Sequence, residues 1–168
     1  ILAISLSAKD RIAVLDIEAQ GVLTHEANMI TDRLVLELVN CGKYSVLERS
    51  ELSSILEEHK LQLSGITSNE FLVKVGEIAN VQKMVGGQVG KVGGIFSLNA
   101  RIINIETAEI ENIASYDTKQ AIDDVLLFGV KIVVNGLIGL GKQEEESKVT
   151  PAQMTDSKDK KKENYPTQ

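Results

Sequence analysis

The side chains best placed for chemistry are Asp16 and Glu18, ending the apolar run RIAVLDI, and Glu48 and Arg49, ending the run YSVL. If the two runs are parallel neighbouring strands, all four meet at one sheet edge, where open α/β folds bind ligands. Paired carboxylates beside a guanidinium there would suit a metal ion, a nucleotide or acid–base work. The plainer reading of Glu48 and Arg49 is a strand-end salt bridge or a helix-terminus interaction. Asp123 and Asp124 suit the first turn of a closing helix, where negative charge faces the positive end of the dipole.

Other motifs give chemistry less support. Gly86, Gly87, Gly90, Gly93 and Gly94 invite comparison with phosphate loops, but such loops leave a strand and open a helix. These glycines fall within and between two strand patterns, with no Lys-Ser or Lys-Thr following, which fits a bulged hairpin. Cys41 is the one cysteine, so an internal disulfide and a cysteine metal cluster are both excluded. Beside Leu38 and Val39 it reads as a small buried apolar residue, with a reactive thiol as the alternative. His25 and His59 lie in separate helical segments without HxxxH spacing, and no GxSxG elbow occurs. No catalytic residue, metal or cofactor is expected.

The chain has 168 residues, 43% of them hydrophobic, enough for one domain with a substantial core. Its net charge of −6 works against a broad cationic surface, and with no Trp, three Tyr and three Phe it lacks stacking platforms. Nucleic acid is excluded as a partner. Residues 1–8, ILAISLSA, read as the end of a signal peptide, with small side chains suited to a cut before Lys9, or else as an ordinary first strand. Residues 9–141 form the expected domain, and 142–168, polar and holding both prolines, read as a disordered tail.

The elements that must position these residues follow from periodicity. Arg11 to Ile17 predicts a strand, and Gly21 to Thr24 turns into a helix with Ala27, Ile30, Leu34, Val35, Leu38 and Val39 inward. Gly42 ends that helix in the left-handed region, Tyr44 to Leu47 is a short strand, and Ser50 caps a helix with Leu52, Ile55 and Leu56 inward. Thr67 and Glu70 form a capping box for a third helix to about Ala79. From Val81 the period changes to two, predicting a three-strand antiparallel meander with turns at Lys91 to Gly94 and Glu106 to Ala108. Residues 125–140 fit a closing helix, or a hairpin turning at Asn135-Gly136.

The runs LVNCGKYSVLER, SELSSILEEH, LSG and ARIINIETAEI, in this order and spacing, resemble the curli assembly and transport component family (CsgG-like) over about residues 11–139. They are also similar to the amino-terminal domain of TolB-like proteins and, more distantly, to lipoprotein activators of penicillin-binding proteins. The resemblance implies an α/β (α+β) fold: one mixed sheet of about five strands, helices on both faces, like an anticodon-binding domain. It implies an exported, non-enzymatic protein, periplasmic or associated with the outer membrane, that binds other envelope proteins in secretion, surface assembly or wall synthesis. A homo-oligomer and peripheral membrane association are both compatible with it.

Three departures stand out. Many relatives carry a cysteine pair where this chain has Ile66 and Phe71, and no lipid-attachment cysteine is seen near the start. Channel-forming members insert two long hairpins, but here the first site is only Lys91 to Gly94 and the second only Thr118 to Ala121. A membrane strand needs about nine to eleven residues each way. The chain is therefore expected to be unable to build a pore wall by itself. Its candidate partner surface is the closing helix, at Phe128, Lys131, Asn135 and Ile138, which is apolar almost all round. The alternatives are a periplasmic collar of a ring-forming channel, or an enzyme for a small ligand or nucleotide at the Asp16, Glu18, Glu48, Arg49 edge.

Overall fold

The computed structural model describes residues 8–61 and 68–140. There are three short strands, β1 (Arg11–Val14), β2 (Glu18–Gln20) and β3 (Ser45–Val46), and three long ones, β4 (Lys83–Val92), β5 (Ile95–Asn104) and β6 (Ile110–Thr118). The helices are α1 (Thr24–Asn40), α2 (Arg49–Glu58) and α3 (Asn69–Ile78). The closing segment is α4 (Ile122–Asp124), a π-helical turn (Val125–Gly129) and α5 (Val130–Leu137). Its leading prediction, a helix, is therefore realised and the hairpin at Asn135-Gly136 is not.

The strands form one mixed sheet in the order β3-β1-β4-β5-β6, with β2 beside the far half of β4. β1 is parallel to β3 and β4, whereas β4, β5 and β6 make the expected antiparallel meander. Alternation along β1 sends Ile12 and Val14 to one face and Ala13 to the other. The first face packs under α1 and the closing helix, around Ile30, Leu34, Leu38, Val133 and Leu137. The second packs under α2 and α3, around Leu52, Leu56, Leu72, Val75 and Met84. Full burial of a side chain such as Leu34 contributes about 1.5–3 kcal/mol.

Several local expectations change. The strand expected over Arg11 to Ile17 stops at Val14 and β2 begins only at Glu18, because the Ile17 amide between them leaves the ladder and donates to Thr31 Oγ1 at 3.0 Å. Thr31 is satisfied in turn by donating to the Ala27 carbonyl at 2.9 Å. Val39 is 53% exposed rather than inward, since it lies a residue beyond the buried stripe ending at Leu38. Ser50 falls inside α2, whose cap position is Glu48 without a side-chain bond. Ser68 caps α3 by accepting from the Phe71 amide at 3.2 Å; Thr67, the expected cap, lies outside the described residues. So do residues 1–7 of the leader reading, Ile66, and the tail from 141. Gly42 ends α1 with φ +66°, as expected.

The glycines of the closing segment explain why a hairpin signal becomes a helix. A Cβ at Gly136 would lie 2.7 Å from Ala114 Cβ, and one at Gly129 2.5 Å from the Tyr116 ring. Seven residues apart, the two glycines bring the helix backbone down onto β6. Replacing Gly136 with Ala should gain about 1 kcal/mol of helix propensity but lose about 1–3 kcal/mol to overpacking against a strand residue. We expect a net loss, read as a fall in Tm of about 2–4 °C per kcal/mol; a rise in Tm would contradict the close packing.

Candidate functional site

Parallel pairing of β1 and β3 brings two of the four candidate edge residues together. Arg49 Nε donates to Asp16 Oδ1 at 2.8 Å, Nη1 to Asp32 Oδ1 at 2.7 Å, and Nη2 to Asn28 Oδ1 at 2.9 Å. The Asp16 hydrogen bond, with help from Asp32, holds the guanidinium above its ordinary pKa despite burial. The group thus ties the end of β1, α1 and the start of α2 into one clamp. Glu48 is exposed at the cap of α2, and Glu18 lies on β2, where Gln20 Nε2 donates to it at 3.3 Å. The four do not converge. Asn28 and Asp32, spaced four apart on one face of α1, are the partners that sequence reasoning missed, although an i, i+4 polar pair was a readable signal.

Among the described residues, no group of three or more His, Cys, Asp or Glu side chains is arranged to hold a metal ion. Cys41 is half-buried and its thiol donates to the Leu38 carbonyl at 3.0 Å. Asp124 accepts from the Tyr116 hydroxyl at 2.6 Å, fastening the start of the closing helix to β6.

The closing helix places its candidates unequally. Phe128 is 59% exposed, Lys131 is exposed and Asn135 half-buried. Ile138 is only 9% exposed and belongs to the core, because the helix axis is set by the Gly129 and Gly136 contacts and carries Ile138 toward α1. The outward face instead gains Leu127 and, at 50% exposure, Ile132. Beside it, a groove of about 240 Å³ runs between α1 and the closing helix, lined by His25, Met29, Ile30, Ile122 and Leu126. That is below the roughly 300 Å³ at which ligand pockets begin, so the groove suits a single side chain better than a cofactor.

A second charged cluster, unforeseen from sequence, sits at the opposite end of the sheet, at the start of β4. Lys83 bonds both oxygens of Glu111 and lies 3.6 Å from Asp10, while Asn104 donates to Glu111 at 3.0 Å. Burial alone would raise the Glu111 carboxyl, but hydrogen bonds from Lys83 and Asn104 outweigh it and hold the group below its ordinary 4.5. For Lys83 burial works downward, and Glu111 and Asp10 more than offset it, so its pKa is raised.

The family model described as curli production assembly/transport component CsgG matches residues 4–93. No curated protein matches the sequence. The fold is similar to the LpoB C-terminal domain from Salmonella enterica, with a TM-score of 0.56 and 16% identity over 70% of this chain and 88% of that one. It is similar to lipoprotein GNA1162 from Neisseria meningitidis, with a TM-score of 0.56 and 11% identity over 84% and 99% of the two chains. It is also similar to a PelC dodecamer subunit from Paraburkholderia phytofirmans, with a TM-score of 0.51 and 13% identity over 79% and 90%.

The Glu111 shift fixes a pH dependence. A carboxyl whose folded pKa is depressed stabilises the fold above its unfolded pKa, and that contribution is lost as pH falls from about 4.5 through the lower folded value. In urea denaturation, Lys83→Met should be less stable than wild type at pH 7, and the gap should shrink at pH 3. An equal gap at both pH values would mean that the ion pair contributes through packing rather than charge.

Proposed function

The chain belongs to the CsgG family of curli production assembly and transport components, and from that premise we propose that it is a non-enzymatic binding and assembly domain of the bacterial cell envelope. It acts through protein–protein contacts in secretion, surface assembly or wall synthesis, in the periplasm or at the outer membrane. The single observation that carries this reading is the outward face of the closing helix. Leu127, Phe128 and Ile132 are all at least half exposed there, around Lys131, although the same helix buries its other side fully in the core. Clustered apolar side chains of this size on a rigid element mark an interaction surface rather than chance exposure. Arg49 supports the non-catalytic reading, since its guanidinium nitrogens are all bonded to the protein's own side chains.

The arrangement also supports a likeness to anticodon-binding domains in shape alone, with residues 9–141 as the domain. The connections favour a domain outside the bilayer: β4 and β5 are joined by Gly93 and Gly94, and β6 and α4 by Lys119, Gln120 and Ala121. No helix among the described residues is long and apolar enough to cross a membrane. A second reading, a periplasmic collar in a homo-oligomeric ring, is favoured by the similarity to a PelC dodecamer subunit.

Light scattering of the whole chain at several concentrations separates the two, since a chain that binds a different protein should keep the 18.3 kDa mass of one copy. A discrete assembly of many copies would move the assignment to the collar. The paired substitution Phe128→Glu and Ile132→Glu should change stability by about 0.5 kcal/mol or less per site, because both side chains are solvent-facing. It should abolish whichever association is observed. Association that survives in the folded double variant would place the surface elsewhere.

A further inference from the structure

We propose that the cavity at the foot of the sheet is a binding site for a singly charged carboxylate, held by Lys9, Lys43 and the hydroxyl of Tyr44. The cavity measures about 350 Å³ and is lined by these three with Asp10, Lys83 and Glu111. Its volume falls within the roughly 300–1,000 Å³ of small-ligand pockets.

The observation that points to a ligand is Tyr44. The residue is 8% exposed and its ring packs in the core under α1, yet none of the described residues hydrogen-bonds its hydroxyl. No described side-chain oxygen or nitrogen is buried without a partner, so this hydroxyl is accessible from the cavity that the residue lines and is free to donate to a bound anion. Burial raises its pKa, with Lys83 pulling the other way, so at neutral pH it is protonated and available as a donor.

The lysines supply the rest. Lys43 Nζ donates to the Ile138 carbonyl at 3.1 Å and stands 5.7 Å from the centre of the Tyr44 ring. An ammonium carries three donors, so further capacity remains at the cavity that Lys43 lines. Lys9 is exposed at the cavity and makes no ion pair with a described residue. Lys83, by contrast, is committed to Glu111 and Asp10.

Charge selects the ligand. Lys9, Lys43 and Lys83 face Asp10 and Glu111, which leaves one positive charge uncompensated. A monoanion neutralises it, whereas a phosphate dianion would bring a second negative charge near two carboxylates, an unfavourable approach at low local dielectric. The carboxylate has two natural sources, a free small acid or the end of a peptide chain.

The test titrates the whole chain by calorimetry with acetate, N-acetyl-alanyl-alanine, its carboxy-terminal amide, and inorganic phosphate. Saturable binding of acetate or the peptide acid, with none of the amide, is expected; which acid binds more tightly identifies the source. Tyr44→Phe keeps the packed ring and should weaken binding about tenfold or more, as loss of a hydrogen bond to a charged group does. Lys9→Met, on an exposed side chain, should weaken it without disturbing the fold. Absence of binding by both acids, phosphate binding as tight as the carboxylates, or unchanged affinity in both variants would each overturn the site. None of these outcomes bears on the closing-helix surface, so the two proposals stand or fall separately.

Discussion

The close approach of the closing helix to β6 is the contact on which the rest of the molecule depends. Gly129 and Gly136 let the helix backbone reach Tyr116 and Ala114 directly, with no side chain between. That approach seals the core face formed by α1, β4 and β5, and buries Val130, Val133, Val134 and Leu137. It also fixes the rotation of the helix. With the glycines against the strand, Phe128 and Ile132 face solvent and Ile138 faces the core. The outward apolar face of the closing helix is thus a geometric consequence of two missing methyl groups.

Charge pins the two ends of the sheet in different ways. Where β1 ends, the Arg49 guanidinium is shared among Asp16, Asp32 and Asn28, so a place where open α/β folds hold ligands is filled by the protein itself. At the other end Lys83 is paired with Glu111 and Asp10, and with Lys43 and Lys9 the cavity keeps one positive charge uncompensated, beside a phenol that no described residue hydrogen-bonds. One end is closed by complementarity and the other is left open. This asymmetry sets the proposed small-ligand site apart from the proposed protein-contact surface of the closing helix.

Much of this fold was legible in the sequence because its signals are periodic. Ala27, Ile30, Leu34 and Leu38 repeat at helical spacing and are buried as that spacing requires. The change to period two after Val81 correctly announced the β4-β5-β6 meander. What escaped was set by tertiary contacts. Thr31 diverts the Ile17 amide and splits the first strand, and nothing near Ile17 records that. Asn135-Gly136 carries a turn signal, yet Gly136 serves a helix that needs a close approach to Ala114. Of the candidate surface, Phe128 and Lys131 stayed outside, but Ile138 could not be assigned without knowing the axis those glycines impose. The Lys83 cluster gathers Asp10, just ahead of β1, with residues from β4, β5 and β6, separations over which no local pattern runs.

The central claim, that this member of the CsgG family works by protein contact through its closing helix, is tested most directly by photocrosslinking in cells that make it. A photoreactive residue at Phe128 or Ile132, with another at the exposed Ile113 on the opposite sheet face as reference, reports which surface is covered. The account predicts one discrete adduct from Phe128 and Ile132 and none from Ile113. Adducts of equal yield at all three positions, or at Ile113 alone, would contradict it.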